Sequence, residues 1–134
     1  CDTLVNKESG LLGVSGLSND MRDLEEAMSS DERADLALKM FARRARFYLG
    51  GYMALLGRVD ALVFTGGIGE NDEIIRGLIL RDMGNMDVHL DEEANNTTVR
   101  GKGGAIDTGA GIPVLVIPTD EEGYIAKSTL ALTR

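Results

Sequence analysis

Cysteine, histidine and positive charge are all scarce in this chain of 134 residues. The one cysteine, Cys1, rules out an internal disulfide and any metal site built on several thiolates. The one histidine, His89, has no nucleophile motif beside it, so no Ser-His-Asp set and no histidine-rich metal site can be assembled. A lone histidine in a short strand reads as structural or exposed rather than catalytic. Lysine and arginine number 14 against 22 aspartates and glutamates, a formal net charge of −8. That balance argues against a general nucleic-acid partner, whose phosphates need a basic patch, and against an anionic membrane surface. It leaves room for a nucleotide, which needs only local donors and a metal ion. No apolar run approaches the roughly 20 residues of a membrane-spanning helix. The single cysteine fits a reducing compartment, and the expected setting is the cytoplasm.

Glycine is plentiful instead, at 17 residues. With no collagen period and no low-complexity run, these glycines read as punctuation at turns, helix ends and close approaches. The length predicts one domain.

Residues 9–18, "SGLLGVSGLS", read as a loop, and 19–28 as a short helix capped by Asn19 or Ser18. The strongest helix spans about 31–56, with Ser29 and Glu32 as a capping pair. Its apolar face is predicted at Leu38, Phe41, Ala45, Tyr48/Leu49, Tyr52 and Leu55/Leu56, and its end at Gly57. Gly50 and Gly51 suggest close packing or a kink. Arg43, Arg44 and Arg46 read as a solvated helix face. Residues 59–64 and 113–118, "VDALVF" and "PVLVIP", read as buried strands. A helix is expected over 71–84 and a short strand over 86–90. The polar stretch 91–112 has room for a small hairpin. Thr119 and Glu122 form a capping box for a last helix over 119–133. Two apolar strands separated by a helix predict an α/β fold with parallel strands covered on both faces, and a sheet that needs further strands beside them.

Two loops stand where ligands bind in such folds, at the carboxyl ends of strands. In "ALVFTGGIGEN" (61–71) a buried strand runs into three glycines and then a helix. The letters do not match the dinucleotide or P-loop fingerprints, so a tight turn and a ligand approaching the backbone are both open. In "PTDEE" (118–122) Asp120 and Glu121 either favour the helix dipole or help hold Mg²⁺, which typically takes one or two carboxylates plus water and phosphate oxygens. In "SNDMRD" (18–23) Asp20 and Arg22 are either a local pair at a helix start or a phosphate or base contact.

Taken together, "ESGLLGVSGLSNDMRD" (8–23), "DALVFTGGIGEN" (60–71) and "VLVIPTDEE" (114–122) closely resemble, in order and spacing, the C-terminal part of acetate kinases. The long helix between the first two stretches and "HLDEEANN" (89–96) fit the same pattern, which covers essentially the whole chain. One departure is Asp120, where the family usually carries Asn. Glu121 stays in register.

The resemblance implies the two-lobed fold shared by acetate and sugar kinases, heat-shock chaperones and actin, which is ribonuclease H-like. This chain would be part of the C-terminal lobe, without the N-terminal lobe and the first sheet strands. It implies phosphoryl transfer between ATP and acetate, giving acetyl phosphate and ADP, with Mg²⁺, in a homodimer. Matched motif to motif, Asp20, Met21 and Arg22 would line the adenosine pocket. Gly67, Ile68, Gly69, Glu70 and Asn71 would form the loop against the nucleotide, and Glu121 would bind Mg²⁺ directly or through water. The family's transition-state arginines, catalytic histidine and acetate pocket come earlier in its sequence and match nothing here. The expectation is therefore a C-terminal fragment that is inactive alone. A propionate or butyrate kinase portion and a non-catalytic nucleotide-binding module remain the alternatives.

Overall fold

The computed structural model describes residues 2–133; Cys1 lies outside them. Length alone predicts one domain, and the chain folds as two compact units. The first holds residues up to Val59 together with Ile74–Arg81, and the second holds Asp60–Glu73 and everything from Asp82 on. The chain passes from one unit to the other and back.

The first unit is helical. It comprises α1 (Asp2–Lys7), α2 (Gly10–Ser15), α3 (Met21–Ala27), α4 (Glu32–Leu56) and α6 (Glu73–Leu80), whose first residue belongs to the second unit. Helix α4 is the spine, and α2 and α3 pack on it. The expected loop over 9–18 is thus largely helical. Three apolar residues in its one and a half turns, Leu11, Leu12 and Val14, gain a neighbour in α4 that local sequence does not reveal. The cap of α4 is Asp31, whose Oδ1 accepts from Arg33 N–H at 2.8 Å and Ala34 N–H at 3.3 Å. Ser29 is not the cap. A carboxylate directly before the first turn serves two of the orphan donors at once and suits the helix dipole. The helix runs unbroken through Gly50 and Gly51 and ends at Gly57, as expected.

The buried face of α4 is narrower than its hydropathy suggests. Ala34, Ala37, Leu38, Ala42 and Met53 are buried, while Phe47 is 70% and Leu55 84% exposed. Three alanines let neighbouring helices approach closely, and the bulky residues are displaced to the flank. There Phe47 packs edge-on against Tyr48, Tyr48 stacks on Tyr52, and the Arg44 guanidinium sits 4.7 Å from the Tyr48 ring centre. The arginine cluster is only partly solvated: Arg46 is half-buried and donates to the carbonyls of Leu78 and Ile79, closing the end of α6.

The second unit is α/β. Strand β1 (Leu62–Phe64) pairs in parallel with β5 (Val114–Val116), and β3 (Gly104–Ala105) adds antiparallel to the far side of β5. The sheet order is β1-β5-β3, which leaves β1 at an edge. The two apolar strands are parallel, as expected, but not covered on both faces. Val114 and Val116 are buried, while Val63 is 51% exposed. A second ribbon pairs β2 (Val88–Leu90) with β4 (Asp107–Gly111). No hairpin forms within 91–112. That stretch makes α7 (Glu92–Thr97), capped by Asp91, and then sends β3 and β4 to different sheets.

The helix expected over 71–84 is two helices. The glycine-rich stretch itself coils as α5 (Gly66–Asn71), Asp72 breaks the run with extended backbone, and α6 follows. Helix α6 ends at Leu80, and Gly84 opens a 3₁₀ turn over 84–86 rather than closing a helix. The last helix, α8 (Glu121–Leu132), is capped by Asp120, whose carboxylate accepts from Gly123 N–H at 3.0 Å. Thr119 is occupied elsewhere, so the Thr119–Glu122 capping box is not formed.

These packing assignments separate two leucines that the sequence puts on one stripe. Leu38→Ala removes a fully buried side chain and is expected to cost about 2–5 kcal/mol. Leu55→Ala, on the exposed flank, is expected to stay within about 0.5 kcal/mol of the parent. Urea unfolding monitored by circular dichroism checks both.

Candidate functional site

Because β1 and β5 run in parallel, both carboxyl ends open on the same side of the sheet. β1 feeds α5 and β5 feeds α8. One buried side chain ties the two ends together. Glu70 Oε1 accepts from Gly66 N–H at 2.8 Å, Thr119 N–H at 2.9 Å and the Thr119 hydroxyl at 2.9 Å. Residues 65–71 and 118–122, read separately in the sequence, are thereby brought into one constellation.

The glycines at this corner do different work. Gly66 has φ +73°, left-handed backbone that a side chain would strain. Gly69 lies against the end of β1, where a Cβ would sit 3.3 Å from the Phe64 carbonyl carbon. At Gly67 φ is not left-handed and a Cβ would meet nothing within 4 Å. The fold needs glycine at two of the three positions and leaves the third unexplained.

The other loop residues divide between solvent and scaffold. Ile68 is exposed. Asn71 bridges outward, its Nδ2 donating to Gly67 C=O at 3.1 Å and its Oδ1 accepting from Arg100 N–H at 3.0 Å. At the head of α8, Glu121 is exposed and takes no part in the cap. Thr119, Asp120, Glu121, Tyr124 and Ile125 line an open groove there. Among the described residues no group of three or more His, Cys, Asp or Glu side chains comes together in a metal-binding cluster.

Asp20, Met21 and Arg22 belong to the first unit. Asp20 caps α3 by accepting from Arg22 N–H at 3.0 Å, and its carboxylate takes two further bonds from the Arg22 guanidinium, at 3.1 and 2.7 Å. The side-chain bonds from Arg22, then its backbone bond, hold Asp20 down to about 2. The sequence offered Ser18 or Asn19 as the cap; Ser18 instead donates to Asp23 and accepts from Asp20 N–H. Met21 is buried and Arg22 exposed. His89 lies half-exposed on β2, with Nε2 3.3 Å from Asp87 Oδ1.

Two buried polar residues escape sequence reading. Asn95 donates from Nδ2 to Glu73 C=O at 2.9 Å, and Arg76 is fully buried inside α6. Neither carries a local signal, since a polar residue in an apolar run is as easily a surface position.

Stability measurements separate the glycine roles. Gly66→Ala is expected to cost roughly 1–2 kcal/mol through backbone strain, and Gly69→Ala about 1–3 kcal/mol through crowding of β1. Gly67→Ala is expected to change stability by no more than about 0.5 kcal/mol. Glu70 adds a pH dependence. The Thr119 backbone and hydroxyl bonds, helped by the Gly66 N–H and opposed by burial, hold its carboxyl below the ordinary value of 4.5. A depressed carboxyl contributes stability that is complete above its unfolded pKa and lost as pH falls through its folded one. The parent is therefore expected to lose stability below about pH 4.5 more steeply than Glu70→Gln, as read from urea midpoints across pH.

Comparison with known proteins places this architecture. The acetokinase family model matches residues 1–127. An acetate kinase of Brachyspira hyodysenteriae is 49% identical over 99% of this chain and 33% of its own length. One from Deinococcus radiodurans is 52% identical over 96% of this chain and 32% of its own length. The crystal structure of Porphyromonas gingivalis acetate kinase superposes with a TM-score of 0.87 at 43% identity, covering 98% of this chain and 33% of that one. A propionate kinase from Francisella tularensis gives 0.82 at 38% identity, over 92% of this chain and 31% of that one. The chain thus spans about a third of the length of the relatives it matches. Its mixed α/β architecture is that of a partial kinase-fold domain, and the chain belongs to the acetokinase family.

Proposed function

We propose that this chain supplies the nucleotide-facing part of the C-terminal lobe of an acetate kinase, which moves a phosphoryl group between ATP and acetate to give acetyl phosphate and ADP. The observation that supports this beyond family membership is Gly67. Its bare backbone faces open space at the carboxyl end of a parallel strand, where α/β folds bind ligands. A glycine that packing does not require is explained by a ligand that comes close to the main chain.

In this reading the backbone of 67–71 borders the nucleotide, and Asp20, Met21 and Arg22 contribute to its adenosine pocket. Arg22 offers a flat, exposed guanidinium suited to stacking or to a phosphate. Glu121 is the exposed carboxylate toward Mg²⁺. A single free carboxylate fits this ion, which is bound largely through phosphate oxygens and water. When bound, Mg²⁺ would neutralise charge on the phosphates. Phosphoryl transfer rests on positioning and charge stabilisation of the moving group, and the residues for that task belong to segments other than this one. The open edge at β1 is where further strands of the same lobe would pair. The whole protein is read as a cytoplasmic homodimer. The likeness to a propionate kinase favours a second reading in which the acyl group is larger, because acyl choice lies outside the nucleotide wall.

Calorimetric titration of this chain with ADP, with and without Mg²⁺, tests the proposal. ADP is expected to bind, and more tightly with Mg²⁺. Arg22→Ala and Gly67→Val are each expected to weaken binding at least about tenfold, or ~1.4 kcal/mol. Glu121→Gln is expected to remove most of the Mg²⁺ effect. Gly67→Val and Arg22→Ala variants that bind like the parent would overturn the assignment.

A further inference from the structure

We infer that Glu70 is a positioning residue rather than a ligand contact: its carboxylate fixes the distance between the glycine loop after β1 and the Glu121 carboxylate after β5. The inference rests on the nucleotide and Mg²⁺ roles given to those two loops above.

Three observations carry it. The first is direction. Glu70 is the buried residue of α5, and Oε1 spends its capacity on three donors inside the protein. The second is what those donors are. Gly66 N–H begins the glycine stretch and Thr119 stands two residues before Glu121, so one atom binds both loops across 49 positions of sequence. The third is its place beyond the strand ladder. β1 and β5 are hydrogen-bonded up to Phe64 C=O, which accepts from Ile117 N–H at 2.9 Å, and beyond that point the chains diverge into α5 and α8. Glu70 ties the two segments together past that rung. A carboxylate does this better than an amide, because charge roughly doubles the strength of each hydrogen bond and both of its oxygens only accept.

The chemical consequence concerns coupling. A nucleotide held by one loop presents its phosphates to a metal ion held by the other. A slack of about 1 Å between such groups is enough to lose most of the advantage of positioning. Loss of the tie should therefore affect the cooperation between nucleotide and Mg²⁺ more than either loop's own fold.

The test compares Glu70→Gln, Thr119→Val and Thr119→Ser in the full chain, with two readouts. The first needs no ligand. In hydrogen exchange, Glu70→Gln is expected to speed exchange of the Gly66 and Thr119 amides together, at least about fivefold, with the amides of α4 unchanged. The second is the ratio of ADP affinities with and without Mg²⁺, read by calorimetry. Glu70→Gln and Thr119→Val are each expected to lower that ratio at least about fivefold. The double variant is expected to be no worse than the singles, since both break one network. Thr119→Ser keeps the hydroxyl and is expected to restore the parent ratio. Should Glu70→Gln fail to fold, the Thr119 pair decides alone. A ratio unchanged in folded variants would overturn the inference while leaving the nucleotide site standing. A parent chain that binds no ADP would overturn both. Additive losses would assign Glu70 to the ligand directly.

Discussion

A single oxygen, Oε1 of Glu70, accepts hydrogen bonds from its own loop at Gly66 and from Thr119, 49 residues further along the chain. Hydrogen bonding to Thr119 and Gly66 lowers its pKa despite burial, so the negative charge persists at neutral pH inside a half-enclosed corner. The juxtaposition of the two strand-end loops is held by this tie. The parallel pairing of β1 and β5 sets the two strand ends side by side, but three-residue strands define only a short ladder. Glu70 adds a link between the loops that follow. Burying a charge carries a desolvation cost, and three well-directed donors offset it.

The helical unit is built on a different constraint, close approach along a seam of small residues. Ala34, Ala37 and Ala42 face inward on α4, with Leu38 as the large residue between them. Phe47, Tyr48 and Tyr52 of the same helix are left outside, where they pack on one another and on Arg44. The relatives that this chain matches are about three times its length.

Much of the architecture could be read in advance. The long helix, its end at Gly57, the parallel apolar strands and the last helix all follow from strong local patterns, with apolar periods of 3.6 and runs of β-branched residues. The caps were less legible. Ser29, Thr119 and Ser18 fit the capping patterns as well as Asp31, Asp120 and Asp20 do, and only three-dimensional geometry chose the aspartates. At the candidate site, positions 67–71 and Glu121 stood out as candidates, because glycine after a buried strand and acid at a helix start are local signals. The different tasks of the three glycines could not. They depend on φ at Gly66 and on the backbone of Phe64 behind Gly69, neither of which is written in the letters.

Family, α/β character, the long helix, the two apolar strands and an acidic composition with a lone histidine were all legible in the letters. These are properties of composition and of patterns within a few turns or one strand. Tertiary structure alone decided which face of α4 is buried, how 91–112 is shared between two sheets, and that Glu70 turns inward to Thr119 rather than outward. Those outcomes rest on contacts between residues far apart in sequence. The free energy that selects among such contacts comes from packing and from hydrogen bonds in a desolvated setting, and a local reading of the chain cannot supply it.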